Sequence, residues 1–506
     1  MIVPRRPTRL TALTALVAAL TTAGLTLPAE AVIPSSAIAN DTVWHDMDGA
    51  EILAQGGNVL KVGSTYYWVG SQLVHGDPYK QVNLYKSTDL EHWTFVKAIL
   101  KQSGDSGDLA VGHWLGRPQL AHNPTTGKYV LVAEVSGVKG NNILFASSDT
   151  VEGDYQPVGP STEVDGVTTG DHSVFVDGSQ AYLVYVGDAR NADGTIQRNA
   201  SLKLSPLNSD WTAVAKDGTG KDVVDWTVAP NGGREAPAII KIGSTYYNFV
   251  SGMNGWNATS TSYRTTTNVA SGTWSAWKTL ATSPASSNSF GTQFEQIIPV
   301  TGTSGTSYLF NGDRYSQYYD GSGTTVHGIG RNAWYRLTLD ASGVPTLHGD
   351  TDIDVNAAAG TLTSNPVANG RFDQSGAGIT VPQWTVKGTT GAVKVEDTTT
   401  HSSRQLTLWN AAAYSAWAGQ DISLPNGTYT LSFRYRSSGG QNSAYFAVKN
   451  HGAAETHTDL SAAQSAWTTK TVTFQVTTGT VSIGAWADGP GGKWLNIDDV
   501  SIWPAT

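Results

Sequence analysis

Two carboxylates stand out by their surroundings. Glu235 lies in "GGREAPAII" and Asp171 in "TTGDHSVFVDG". Cleavage of a glycosidic bond needs a carboxylic acid to protonate the leaving oxygen. It also needs a second group that activates water or attacks directly. An ionised carboxylate next to Glu235 would raise the glutamate's pKa and keep it protonated near neutral pH. The competing reading is structural, with the two acids paired to Arg117 and Arg234.

Residues so far apart meet only if the chain folds as a repeat. "KVGSTYYWVGS" (Lys61 to Ser71) and "KIGSTYYNFVS" (Lys241 to Ser251) share seven of eleven positions. Each is an alternating aromatic and aliphatic run after a Gly-Ser turn, the pattern of a strand following a hairpin. Looser copies centre on Tyr129, Tyr182 and Tyr308, so five tyrosine anchors recur at spacings of 62, 53, 65 and 61. Trp93, Tyr155, Trp211 and Trp274 follow four of them by 26 to 29 residues. The unit reads as paired strands followed by an outer strand that carries an aromatic. Five such units predict a five-bladed β-propeller over residues 40–355.

The first strand of each blade lines the central axis of a propeller. Counting back from the anchors puts Gln55, Gly116-Arg117, Asp171, Glu235 and Gln293 at comparable positions, one polar site per blade. All are expected around one funnel. Sugar rings stack on aromatics, and Trp114, Trp256 and Tyr315 flank the axial positions. Asp48, Glu51, Glu134 and Glu295 are further carboxylates on nearby loops that could serve as a base, without support from the register.

"VNAAAGTLTSNP" reads as a linker, assigned to residues 356–364. Residues 365–506 hold alternating strands such as "GTYTLSFRYRSS" and "TVSIGAWAD", which predict a β-sandwich. The chain has 506 residues, 55 glycines, 17 tryptophans, 20 tyrosines and no cysteine, so large β cores must replace a disulfide framework. Arg5, Arg6 and Arg9, an apolar stretch to Leu27 and "AEA" at 29–31 read as a signal peptide over residues 1–31, hence a secreted, extracellular protein. Net charge is −9, or −11 without those 31 residues. An acidic chain without basic runs excludes nucleic acid and anionic membrane as partners. A monomer is expected.

"WHDMDGAEILAQGGNVLKVGSTYYWVGS", "GRPQLAHNPTTGKYV", "GDHSVFVDG", "REAPAIIKIGSTYYNFVSGMNGWN", "FGTQFEQIIPV" and "FNGDRYSQ" resemble glycoside hydrolase family 43, in its exo-β-1,3-galactanase-like branch. The resemblance covers residues 44–340. It implies an inverting hydrolase of plant cell-wall galactan or arabinogalactan that needs no catalytic cofactor. Glu235 matches the general acid and Asp171 the residue that tunes its pKa. Gln293 matches a glutamine proposed to stand in for the base, and Gln55 and Arg117 belong to the substrate site. Two positions depart from the pattern. Gln55 stands where most of the family has an aspartate and the branch a histidine, and Gly116 stands where the branch has a glutamate. Other family activities, α-L-arabinofuranosidase or β-xylosidase, and a non-catalytic glycan-binding propeller therefore stay open. The C-terminal "NG-F-D" and "DDV" resemble carbohydrate-binding modules. That resemblance implies a structural calcium held by Asp373 and Asp499 with Asp498, and sugar contacts from Trp417, Tyr445, Trp486 and Trp494.

Overall fold

The computed structural model describes residues 37–505 except 41, 74–79, 138–139, 194, 316–329, 374–376 and 399–403. The expected signal peptide, residues 1–31, lies outside them. The described residues hold strands and no α-helix. Blade one comprises Val59–Val62, Thr65–Ser71, Gln81–Ser87 and Thr94–Lys101; the next three blades repeat this four-stranded order. Their first strands are Leu115–His122, Thr169–Asp177 and Arg234–Ile242. Blade five runs from Gln293–Gly302 to Pro345–His348 and gains Ala281–Ser283 as a parallel edge. Every tyrosine anchor falls in the second strand of its blade. The following aromatics do not lie in the outer strand as expected. Trp93, Tyr155, Trp211 and Trp274 precede it, and the first three are buried, wedging each blade against its neighbour.

The first strands are not regular. In each blade the pairing with the second strand slips by one residue near the axis. The last pairs before the slip are Gln55 with Ser71, Gly116 with Glu134, Thr169 with Gly187, Glu235 with Ser251 and Phe294 with Gly312. A β-bulge bends the strand and re-aims its side chains. Arg117 and Ala236 occupy the bulges with φ of 45° and 51°, a conformation that non-glycine residues adopt only under tertiary constraint. This register corrects the sequence reading in two blades. Thr169, and not Asp171, is the equivalent of Glu235, and Phe294, and not Gln293, holds that place in blade five.

Closure of the ring rests on side-chain to backbone hydrogen bonds. Gln296 accepts from Val59 N at 2.8 Å, and Asn40 accepts from Trp334 N at 2.9 Å. Trp68 and Trp334, both fully buried, pack 4.9 Å apart at this seam.

The expected linker is structured. Thr361–Ser364 pairs with Asp352–Asn356, which also pairs with Ile38–Ala39, so residues 352–364 form a hairpin outside the blades. Alternation explains it: Ile353 and Val355 face the core that holds Trp68 and Trp334. Beyond it, two five-stranded sheets form the sandwich around one apolar core. The Arg371 guanidinium ties hairpin to sandwich, pairing with the buried Asp352 and lying 3.6 Å from Asp499. Asn365 donates to Asp352 at 2.9 Å and accepts from Ile502 N at 3.0 Å. Removing one partner of a buried pair leaves the other uncompensated and costs about 3 kcal/mol. Arg371→Ala is therefore expected to lower the urea midpoint; an unchanged unfolding curve would show that the pairing adds nothing.

Candidate active site

The five inner strands converge on a cavity of about 310 Å³. Gln55, Trp114, Arg117, Asp171, Glu235, Trp256, Gln293 and Tyr315 all line it. The axial residues Gln55, Arg117, Asp171, Glu235 and Gln293 and the three flanking aromatics thus reach one site. Two register misassignments did not spoil this, because a bulge lets residues one or two positions off still face the axis.

Arg117 is the central charge. Its guanidinium lies 2.9 Å from Glu295 and 3.5 Å from Asp171. Glu295 is fully buried and also accepts from the Tyr315 hydroxyl at 2.8 Å. The second oxygen of Asp171 accepts from Ala236 N at 2.9 Å, which links blade three to the bulge beside Glu235. The structural reading thus holds for Asp171 and Arg117. It fails for Arg234, which donates to Asn231 O and stacks on Trp277.

Burial pushes the Glu235 carboxyl up to about 8, and the Asp171 charge adds to the rise while Arg117 opposes it. Burial also raises Glu295 to about 8, and Glu134 and Asp313 to about 7. His172, buried behind Asp171, is held neutral, its pKa lowered to about 3 by burial and by Arg117.

Gln293 is oriented by two backbone carbonyls. Its Nε2 donates to Gly255 O at 2.7 Å and to Asn257 O at 2.9 Å. Both amide hydrogens are thus committed, and Oε1 is left as the atom that can accept from a ligand or water. The other candidate bases do not line the cavity. Glu51 pairs with Arg331 at 2.7 Å, Glu295 lies behind Arg117, Glu134 behind Trp114, and Asp48 is exposed. Trp114, Trp256 and Tyr315 form a continuous aromatic side, with centroids 5.9 and 5.3 Å apart.

In the sandwich, Trp417, Trp486 and Tyr445 are register partners across three adjacent strands. Their alternate neighbours, such as Ala416, Ala485 and Phe446, fill the core, so the three aromatics share the outer face. The Trp417 indole lies over Gly419 and Gly484, where an added Cβ would come within 2.5 and 2.4 Å of it. Trp494 belongs to the other sheet, beside Arg436. The calcium expectation does not fit at Asp499, whose carboxylate faces Arg371 at 3.6 Å and Arg434 at 3.9 Å. Asp373 is buried and its carbonyl accepts from Arg404 at 3.0 Å. Among the described residues no group of three acidic, histidine or cysteine side chains is arranged to hold a metal ion.

The model of glycosyl hydrolases family 43 matches residues 54–334. Among solved structures, the exo-β-1,3-galactanase of Phanerochaete chrysosporium, as a Glu-to-Gln variant with β-1,3-galactotriose, is 21% identical with a TM-score of 0.58, over 92% of this chain and 100% of that one. An exo-β-1,3-galactanase from Clostridium thermocellum is 20% identical with a TM-score of 0.57 over the same shares. At these identities the likeness is one of fold. No curated protein matches the chain in sequence.

Carboxyls with raised pKa values bind protons in the folded state that they lose when unfolded, so stability falls as pH rises through their titration. His172 acts in the opposite sense, but only below its ordinary value of 6.5. Urea midpoints are therefore expected to fall between about pH 6.5 and 8, with a shallower fall in Glu235→Gln. A midpoint that rises over that window would contradict these protonation states.

Proposed function

The chain belongs to the glycosyl hydrolases of family 43, and on that premise we propose that it is a secreted, inverting, exo-acting hydrolase that releases galactose from β-1,3-galactan or arabinogalactan chains. The observation that carries this reading is Glu235: a carboxyl on the cavity wall, pushed up to about 8 by burial and by the neighbouring Asp171, which itself lies 3.5 Å from the Arg117 guanidinium. The sugar and linkage are supported by the names of the relatives with this fold.

In this mechanism Glu235 gives its proton to the glycosidic oxygen as the bond to C1 breaks. Water attacks C1 from the opposite face of the ring. Gln293 Oε1 accepts a hydrogen bond from that water and orients it. An amide is too weak a base to keep the proton, which passes to solvent as the new C–O bond forms. Glu235 then regains a proton from solvent. Asp171 favours the protonated acid before reaction and, fixed by Arg117 and Ala236 N, does not touch the water. Trp114, Trp256 and Tyr315 offer apolar faces to the sugar.

Glu235→Gln is expected to reduce turnover by a factor on the order of 10²–10⁴, the range for a lost general acid, with the fold retained. Product analysis on β-1,3-galactan, arabinan and xylan tests the reading. Galactose from galactan alone supports it. Arabinose or xylose would transfer the assignment to an arabinofuranosidase or xylosidase, and binding without release would make the propeller a glycan receptor.

The sandwich face with Trp417, Trp486 and Tyr445 serves in this reading as a polysaccharide platform. A flat platform holds the polymer near an exo pocket that grips only a chain end, raising the local concentration of ends. Trp486→Ala is expected to weaken retardation in affinity electrophoresis with galactan by about tenfold and to leave rates on galactotriose unchanged. Undiminished retardation would remove the face from this role.

A further inference from the structure

The two strands nearest the axis obey a size rule that one blade inverts. Opposite the axial residues Gln55, Thr169, Glu235 and Phe294 stand Ser71, Gly187, Ser251 and Gly312, all small. In blade two the axial residue is Gly116, and the residue opposite is Glu134. The side chain has moved across the pair.

The space above Gly116 is filled from elsewhere. A Cβ at this position would come within 2.6 Å of Trp114 Nε1 and 3.0 Å of its Cε2, so the indole lies directly over the glycine. Gly116 does not have positive φ. Its backbone would accept any residue, and the indole is what excludes one. Trp114 Nε1 donates to Glu134 Oε2 at 3.1 Å, and Trp114 N donates to Ser136 Oγ at 2.8 Å. Glu134 itself is 3% exposed, and its other oxygen accepts from Asn141 at 2.5 Å. It does not line the cavity, whereas Trp114 does, 5.9 Å from Trp256.

We propose that Glu134 is a positioning residue that fixes the Trp114 indole as a wall of the sugar cavity, in the space left by the missing side chain at position 116. Gly116, Glu134 and Trp114 act as one specificity unit that governs how tightly a sugar ring is held. The unit takes no part in bond breaking, since Glu134 reaches the cavity only through the indole. This inference rests on the reading of the cavity as a sugar site.

The test measures binding of galactose, arabinose and xylose by titration calorimetry, and kcat and KM on β-1,3-galactotriose, for Gly116→Ala, Glu134→Ala and Glu134→Gln. For whichever sugar the wild-type chain binds, Gly116→Ala and Glu134→Ala are expected to raise Kd and KM by about tenfold, the scale of one lost aromatic contact. Their kcat should stay within about threefold of wild type. Glu134→Gln should bind within about threefold of wild type, because an amide oxygen accepts the same indole N–H. That conservative rescue separates anchoring of Trp114 from a general loss of folding, which melting curves of the three variants also report. Wild-type affinity in Glu134→Ala, a glutamine variant as weak as the alanine one, or a fall in kcat at constant KM would overturn the inference while leaving the hydrolase reading intact. A wild-type chain that binds none of the three sugars would overturn both.

Discussion

The site depends on one buried cation. Arg117 serves two carboxylates, Asp171 and Glu295, from the bulge of blade two, and its own pKa is raised by them despite burial. Glu235 lies in the same cavity without a guanidinium partner. One positive charge cannot balance three negative ones in a medium that solvates them poorly. Protons make up the difference: Glu235, which has no guanidinium partner, and Glu295, raised by burial despite Arg117, are both pushed up to about 8. Of the two, only Glu235 lines the cavity, and it is the acid that the proposed mechanism uses.

This allocation requires side chains from blades two, three, four and five to meet within a few ångströms. Regular pleating would send alternate residues of each inner strand into the blade interfaces. The bulges solve this by turning a polar residue towards the axis while the apolar alternation resumes below. Their cost is backbone conformation, with Arg117 and Ala236 at positive φ. Hydrogen bonds offset it: Asp171 accepts from Ala236 N, and the Arg117 head is held by Glu295. The strained residues and the charge network therefore sustain each other.

The repeat was legible in the sequence because the tyrosine anchors sit in second strands, which are buried on both faces and so read as near-continuous aromatic and aliphatic runs after a tight turn. Counting back from them found Gln55, Arg117, Asp171, Glu235 and Gln293 of the cavity wall. It did not find the true register, because a bulge adds a residue without any local signature, and Asp171 was matched to Glu235 although Thr169 is the paired equivalent. The hairpin at 352–364 was hidden by its alanines and glycines, although the alternation of Ile353 and Val355 marks it. Asp499 looked like a metal ligand because its guanidinium partners come from residues 128 and 65 positions away. Glu134 lacked a signal of its own; only the register partner Gly116 gives it meaning.

The two departures from the family pattern follow from the same charge balance. Gln55 donates to Arg331 O at 3.3 Å and accepts from the Arg331 guanidinium at 3.4 Å, while that guanidinium is already engaged by Glu51. Asp313 lies on the same side, accepting from Gly56 N at 2.5 Å and pushed up to about 7 by burial. An aspartate at position 55 would add a further acid beside Asp313, in a site where Arg117 already carries two. A neutral amide keeps the hydrogen bonds and adds no charge. At position 116 the acid is not lost but withdrawn: Glu134 holds a carboxyl at the same level of the blade, buried behind an indole and raised towards neutrality. Neither position presents a carboxylate to the cavity, and the Glu235–Asp171–Arg117 relation is left untouched. In the proposed mechanism such a site holds the sugar through its ring faces, and the proton on Glu235 is the one given to the glycosidic oxygen.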